Sequence, residues 1–546
     1  MTAEQSSLNT QLEAIKLLSD GKSDSALQLL ISAVHQEPGC AAWRNNLGNA
    51  LLETGKLDAA IREFQKAISL EDGYHLAYLG LARAYRVACN SIDAIRSCQQ
   101  GLQLRPKWPE MIAEYATALE AADRGGEALR LLSATVASDP DHHELNSRCL
   151  FSLNNAEIAP EDVFSFHSEL GQTRSFTPSA TAFRPRTVEN FSVGFLSGDF
   201  RMHSVSYFSR SLFMHAFPGL RRVALANSPP GDSDDWTRWF QQKSDAFVNI
   251  WGKSATEVRE IVRDHDCDIL VDLSGHTSLN RLDVFDSRCA PLTVHAIGYP
   301  NTTGHPGIDL RITDRITDPA GSDNMATEKL LRMPDCFLCY DPPAAAPIPQ
   351  PGTADSQLRF GCFTSFNRIS TSTLRLWSNV MKAIPDSSLV LKSTHCADPA
   401  ARVHLQTRAA SAGIDPSRIE FLQRMPDNNA HLQQWNEIDI CLDVAPWNGT
   451  TVTCEALWMG VPVISVRGDR HSARVGASLL TAVGRPDWIA ESPDQYVHIV
   501  QRIVADRQQR DHWRRHSREV ISLSNLCNSS AYSFNFYSLL KMQLEG

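Results

Sequence analysis

Four alanines, at positions 26, 60, 94 and 128, stand 34 residues apart, and nothing else in this 546-residue chain restricts its folding so tightly. The same interval separates Ala14, Gly48, Ala82 and Ala116, and again Pro38, Asp72, Pro106 and Pro140. A fixed period of this length marks one supersecondary unit used repeatedly. Small residues at two fixed offsets let paired helices approach closely, and Leu47, Leu51 and Phe64 are placed to fill the remaining gap. The prolines end the second helix of each unit, because proline cannot donate the backbone hydrogen bond that a continuing helix needs.

This unit resembles the tetratricopeptide repeat. The resemblance implies four helix–turn–helix repeats over residues 1–145. One unit cannot bury its apolar face alone, so the four stack into a short superhelix with a concave surface. Such an arm binds proteins or peptides; the alternative is a packing or dimerisation module, which leaves a homodimer open. Around 146–170 the pattern decays into bridging helices, and TRSFTPSATAFRPRT (173–187) has the Ser/Thr/Pro content of a linker, giving a connecting region over 146–187.

From residue 188 onward, short apolar runs alternate with helix-like stretches. The runs are FSVGFL (191–196), DILVDL (268–273), LTVHAIGY (292–299), LRFGCF (358–363), SSLVLK (387–392), RIEFL (418–422), IDICLD (438–443) and VPVISV (461–466). Near-continuous apolar strands between helices predict α/β architecture with parallel, doubly wound sheets buried on both faces. The Pro/Ala/Gly-rich stretch 339–357 divides this region into two Rossmann-like lobes, 188–345 and 346–520. Ligands of such sheets sit at the carboxyl ends of the strands. Neither lobe carries GxGxxG or GxxxxGK[ST], which counts against dinucleotide oxidoreductases and P-loop kinases. Residues 493–521 read as one helix with a solvated basic face. The terminal NSSAYSFNFYSLLKMQLEG, within 521–546, reads as a helix that crosses back to the first lobe.

Composition narrows the partners. The net charge of −10 comes from 62 acidic against 52 basic residues, and no Lys/Arg stripe interleaves with aromatics, so nucleic acid is not expected. No segment approaches the roughly 18 uninterrupted apolar residues that span a membrane. The start, MTAEQSSLNTQLEAIKLL, lacks the basic and apolar regions of a signal peptide. Thirteen cysteines without a framework spacing fit a reducing compartment, and the expectation is a cytoplasmic protein. Cys336 and Cys339 form one CxxC without a second pair, which reads as two loop cysteines rather than a zinc site.

Several blocks resemble the protein O-GlcNAc transferases and SPINDLY-type transferases. In the first lobe these are VGFLSGDFRMHSVSYF (193–208), DILVDLSGHT (268–277) and GYPNTTGHPGIDLRITD (298–314). In the second they are FNRISTSTLRLW (366–377), DICLDVAPWNGTTVTCEALWMGVPVIS (439–465) and RVGASLL (474–480). The resemblance runs through the whole chain in order and implies repeats followed by a two-lobed GT-B catalytic region.

Such an enzyme must stabilise a departing nucleoside diphosphate. Without a metal, that task falls to helix N-termini, hydroxyls and one or two cations. Asn448-Gly449-Thr450-Thr451 follows a strand and opens a helix, so it offers bare amides and hydroxyls at a positive helix end. The resemblance implies that Glu455 grips the ribose hydroxyls and that His431 lies near the base. Arg368 stands where relatives carry a diphosphate-binding lysine. Arginine keeps the charge in a longer, forked side chain. Ser365 lies in the same segment, and Lys392 is a candidate substitute cation.

His203 follows the first strand of the first lobe, where the family places a functional histidine. Its ordinary pKa suits taking a hydroxyl proton near neutrality. Asp199 is read as orienting that loop, and His276 as a second active-site histidine. Tyr299, Pro300, Thr302 and Thr303 are assigned to the acceptor side. The resulting expectation is an inverting transferase that moves GlcNAc from UDP-GlcNAc onto Ser/Thr hydroxyls of proteins. It needs no metal or other cofactor, and its repeats choose the client. The alternatives are a SPINDLY-like O-fucosyltransferase using GDP-fucose, a flagellin-type glycosyltransferase, and a repeat scaffold with a degenerate transferase domain.

Overall fold

The structure is a computed structural model that describes residues 22–178, 189–350, 357–425 and 427–545, together with residues 10, 12–14 and 16–18. Part of the first repeat, residues 179–187 of the expected linker and residues 351–356 of the expected divider lie outside the described residues. The chain forms two compact units.

The first unit holds the repeats. Helices Ser23–Gln36, Leu57–Leu70, Ser91–Leu104 and Gly125–Ser138 are each 14 residues long, and each stops two residues before Pro38, Asp72, Pro106 or Pro140. Their partners are Ala41–Glu53, His75–Val87 and Pro109–Ala121. The small residues do what their spacing implies: Ala26, Ala60, Ala82, Ala94, Ala116 and Ala128 are all 0% exposed. A β-carbon on Gly48 would stand 2.7 Å from the Phe64 ring, and one on Gly80 would collide with the same ring, so a single buried aromatic sets both helix spacings. Helix His143–Leu153 begins 34 residues after Pro109, so the register continues for one helix past the boundary expected at 145. Residues 395–405 also belong to this unit, where Ser91 N–H donates to the Asp398 carboxylate at 2.8 Å and His404 Nδ1 lies 3.0 Å from Asp123.

The second unit contains two parallel sheets. The first has β1 (Phe191–Ser197), β2 (Leu220–Ala226), β3 (Ala246–Asn249), β4 (Ile269–Asp272), β5 (Leu292–His295), β6 (Leu310–Asp314) and β7 (Lys329–Met333), in the order β3-β2-β1-β4-β5-β6-β7. The second has β8 (Leu358–Cys362), β9 (Ser387–Lys392), β10 (Ile419–Leu422), β11 (Ile440–Leu442), β12 (Val463–Val466) and β13 (Ile489–Ala490), in the order β10-β9-β8-β11-β12-β13. All eight apolar runs read from sequence are strands here, and every pairing between strands is parallel.

The terminal helix, Ser529–Glu545, packs on the first sheet. Tyr532, Phe536, Tyr537 and Leu540 enter the core of Phe195 and Phe213, and the Tyr537 hydroxyl donates to Leu212 O at 2.6 Å. The region 493–521 differs from its sequence reading in two ways. It is two helices, Pro493–Ala505 and Arg507–Ser522, because Asp506 caps the second by accepting from Gln509 N–H. Its arginines 510, 514 and 518 are not a solvated face. Arg510 donates to Ile503 O, Arg514 to Ile438 O and Arg518 to Pro347 O, so each guanidinium satisfies a backbone carbonyl. Cys336 and Cys339 are buried free thiols, and Cys336 Sγ lies 3.3 Å from Ser478 Oγ.

Candidate active site

In each sheet the strand order reverses next to the first strand, between β1 and β4 and between β8 and β11. Loops leaving neighbouring strands at such a point run to opposite sides and leave a crevice. Those four loops line one cavity of about 600 Å3. The loop after β1 contributes Asp199 and His203, and that after β4 contributes Thr277. The loop after β8 contributes Ser365 and Arg368, and that after β11 contributes Thr450 and Thr451.

The loop after β11 is held from below by Asp443, whose importance the sequence reading passed over. Its carboxylate accepts from Gly449 N–H at 2.8 Å, Val444 N–H at 2.9 Å and Ser465 Oγ at 2.7 Å. Burial pushes its pKa up to about 6, against the pull of those donors and of Arg368. Asn448 is spent on the same scaffold: its amide donates to Val444 O at 2.7 Å and its oxygen accepts from Gly476 N–H at 3.2 Å. Gly449 needs its bare α-carbon, since a β-carbon would stand 2.7 Å from Val452 and 2.9 Å from Thr453. Helix Thr451–Trp458 then starts at the cavity wall, with its first amides unpaired within the helix.

Arg368 lies beside that helix start. Its guanidinium carbon sits 3.8 Å from the centroid of the Trp447 ring, and one nitrogen donates weakly to Asn448 O at 3.4 Å. Among the described residues no carboxylate pairs with it. Burial pushes its pKa down to about 10, opposed by Asp443, so it remains a cation at neutral pH.

On the first lobe, His203 Nδ1 lies 3.3 Å from Asp199 Oδ2 and accepts from Val205 N–H at 3.3 Å. Burial lowers the His203 pKa while Asp199 raises it, and burial raises that of Asp199. The outcome is a neutral imidazole backed by a buried acid. Nδ1 is engaged by Asp199 and by the Val205 N–H, and Nε2 is the ring nitrogen turned away from both.

A second cluster adjoins the cavity through Phe363, which lines it and contacts His431 with ring centroids 6.1 Å apart. Lys392 Nζ is 2.5 Å from His431 Nδ1, and His431 Nε2 is 3.0 Å from Glu455 Oε2. Lys392, His431 and Glu455 therefore act as one connected set rather than as separate contacts.

The remaining predicted residues fall in the interior. His276 Nε2 is 2.7 Å from Thr303 O, and burial lowers its pKa well below the ordinary imidazole value, which leaves it a neutral structural group. The Tyr299 hydroxyl donates to Leu150 O at 2.9 Å and lies 2.7 Å from His167 Nε2. Thr302 Oγ1 donates to Glu328 at 2.6 Å and Thr303 N–H to the same carboxylate at 2.7 Å. Of the four acceptor-side residues, only Pro300 faces the cavity. The others sit behind that wall, because polar atoms buried there need one another as partners. Five aromatic lining residues, Phe151, Phe208, Phe337, Phe363 and Trp447, were not among the predicted site residues. Trp447 stood inside a quoted motif, and Phe151 carries no signal to separate it from a repeat-core residue. Among the described residues no three His, Cys, Asp or Glu side chains are grouped to hold a metal ion.

Paired parallel sheets with one cleft at both reversal points define a two-lobed, doubly wound α/β architecture. The pattern described as glycosyl transferase family 41 matches residues 173–345 and 349–536, and the chain belongs to that family. Tetratricopeptide repeat patterns match residues 12–75 and 45–106. A rice relative named "Probable UDP-N-acetylglucosamine--peptide N-acetylglucosaminyltransferase SPINDLY" is 34% identical over 407 residues, covering 72% of this chain and 44% of the relative. The tomato protein of the same name is 32% identical over 414 residues, covering 74% and 44%. The chain thus spans under half the length of these curated relatives. A solved structure, an O-GlcNAc transferase mutant from Thermobaculum terrenum, superposes with a TM-score of 0.83 at 25% identity, covering 96% of this chain and 98% of that one. The two-lobed arrangement is the GT-B fold expected from the sequence.

Proposed function

We propose that this protein transfers GlcNAc from UDP-GlcNAc to Ser/Thr hydroxyls of proteins, with inversion and without a metal. The observation that carries the reading is Arg368, a cation at the cavity wall with no carboxylate partner among the described residues, next to the start of helix Thr451–Trp458. A long-lived cation in that setting is suited to an anion such as a diphosphate. The names of the rice and tomato relatives point to the same donor, and the repeats point to protein acceptors.

In this reading the second lobe binds the nucleotide. The acceptor hydroxyl attacks the anomeric carbon while the bond from that carbon to the diphosphate oxygen breaks. The bonding pair leaves with the diphosphate, where Arg368, Thr450, Thr451 and the helix amides meet the growing charge. His203 takes the hydroxyl proton, and Asp199 stabilises the imidazolium. A single displacement inverts the anomeric centre.

The test is thermal stabilisation by UDP-GlcNAc, GDP-fucose, UDP and GDP, followed by turnover with a peptide acceptor. A ligand at 100 times its Kd stabilises by about 2.7 kcal/mol. Stabilisation by the uridine compounds with transfer to peptide is the expected result. A response only to GDP-fucose selects the fucosyl alternative, and no response to any of them leaves a repeat scaffold.

A further inference from the structure

Phe151 precedes both sheets, yet it lines the cavity that their loops form. Its ring meets Trp447 edge-on, with centroids 5.0 Å apart and planes at 75°. Trp447 in turn carries the Arg368 guanidinium 3.8 Å from its ring centroid.

The chain around Phe151 is tied down from both lobes. From the first, the Tyr299 hydroxyl donates to Leu150 O at 2.9 Å and accepts from Asn154 Nδ2 at 2.9 Å. From the second, Arg470 donates to Ala156 O at 2.6 Å. The Glu157 carboxylate accepts from Ser372 N–H at 2.8 Å and Thr371 N–H at 3.2 Å, capping the 13-residue helix Thr371–Ala383. Segment 150–158 is therefore fixed against both lobes, and the Phe151 backbone cannot move away from Trp447 without breaking several of these bonds.

Among the described residues the Arg368 guanidinium makes one weak hydrogen bond of 3.4 Å, to Asn448 O. A long side chain so lightly tethered samples many rotamers unless something else confines it. A tryptophan face attracts a guanidinium and fits its plane. We propose that Phe151 and Trp447 are positioning residues that hold Arg368 toward the anion it serves, so that segment 150–158 is a third wall of the active site. The idea rests on the diphosphate reading of Arg368 for its purpose, though not for its geometry.

The experiment compares the full-length protein with its Trp447→Phe, Trp447→Leu, Phe151→Ala and Arg368→Met variants. Calorimetry with UDP and GDP measures binding. In parallel, the Nε–H resonance of Arg368, assigned by its loss in Arg368→Met, reports the ring current of Trp447. Trp447→Leu is expected to weaken nucleotide binding about tenfold, and Trp447→Phe by less than about twofold. Phe151→Ala falls between them. In the Arg368→Met background Trp447→Leu and Phe151→Ala should each add less than about twofold, because their effect passes through the arginine. The Nε–H resonance should move to the free-arginine position in Trp447→Leu and only part of the way in Phe151→Ala.

Equal losses with and without Arg368, or a Trp447→Phe variant as weak as Trp447→Leu, would overturn the proposal. If the wild type binds neither UDP nor GDP, the functional reading fails. The resonance then decides the positioning claim alone, and an unshifted wild-type signal refutes it.

Discussion

His431 Nε2 lies 3.0 Å from Glu455 Oε2, and Lys392 Nζ lies 2.5 Å from the other ring nitrogen. An ammonium can only donate, so Nδ1 accepts and the ring proton sits on Nε2, pointed at the carboxylate. The histidine therefore engages one oxygen of Glu455 and orients the group. If Glu455 accepts ribose hydroxyls, the wild type should prefer UDP to 2′-deoxy-UDP by about tenfold, worth ~1.4 kcal/mol. Glu455→Ala should abolish that preference, as read by calorimetry. A preference that survives intact assigns the ribose contact elsewhere.

The acidic limb of the pH profile should report His203. Burial lowers its pKa from the ordinary 6.5. A lowered pKa keeps the base form present to more acidic pH, so kcat should be lost only as pH falls below 6.5, through the depressed value. His203→Gln should cost about a hundredfold or more in kcat and remove this limb. A limb above 6.5 would mean that Asp199 outweighs burial and holds the imidazole protonated.

Gly476 is a steric requirement for the scaffold of the β11 loop. A β-carbon there would stand 2.6 Å from Asp443 Oδ2 and would collide with Ser465 Oγ. Gly476→Ala should destabilise the protein by about 1–3 kcal/mol in denaturant titrations. It should also weaken nucleotide binding, because Asp443 holds the Gly449 amide. A full-strength binder with unchanged stability would show that the loop stands without Asp443.

What the sequence made legible follows the physics of each element. Strands buried on both faces, such as β1 and β9, are unbroken apolar runs and read directly. Strand β2 begins Leu-Arg-Arg with its first residues partly exposed, and β6 buries Arg311 and Asp314, so neither pattern signals a strand. At the site, residues presented by loops at strand ends, namely Asp199, His203, Ser365, Arg368, Thr450 and Thr451, line one cavity. Tyr299, Thr302, Thr303 and His276 share those motifs yet serve the wall behind it. A motif records which residues occur together and not which way each side chain turns. Phe151 was unreadable because its role arises from contacts across almost 300 residues of sequence.

Turnover should survive a strong chelator. Arg368, Thr450 and Thr451 line the cavity, and in the proposed reading they meet the leaving-group charge that a metal ion would otherwise meet. EDTA should change the initial rate by less than about twofold, while Arg368→Met should lower kcat by about a hundredfold, as for other groups that stabilise transition-state charge. Loss of activity in EDTA with recovery on adding Mn²⁺ would replace this mechanism with a metal-dependent one.

The repeat groove should be selective rather than a general peptide clamp. A sequence-blind clamp needs the same side-chain amide in every repeat, offering a donor and an acceptor at regular intervals. At one helix offset the chain has Leu12, Asn46, Gly80 and Glu114, and at another Ile15, Asn49, Arg83 and Thr117, of which Ile15 lies outside the described residues. The packing explains why the first series cannot be a ladder. Any side chain at Gly80 would strike the Phe64 ring, and Glu114 is paired with Arg86 at 2.5 Å. Asn46 accepts from its neighbour Asn45 at 3.4 Å. Replacing Asn46 and Asn49 with alanine should therefore change glycosylation of a random peptide pool by less than about twofold, an effect below ~0.4 kcal/mol. A uniform drop of about tenfold or more across unrelated peptides, or ~1.4 kcal/mol, would require a backbone clamp built on these two asparagines and would reverse this reading of the arm.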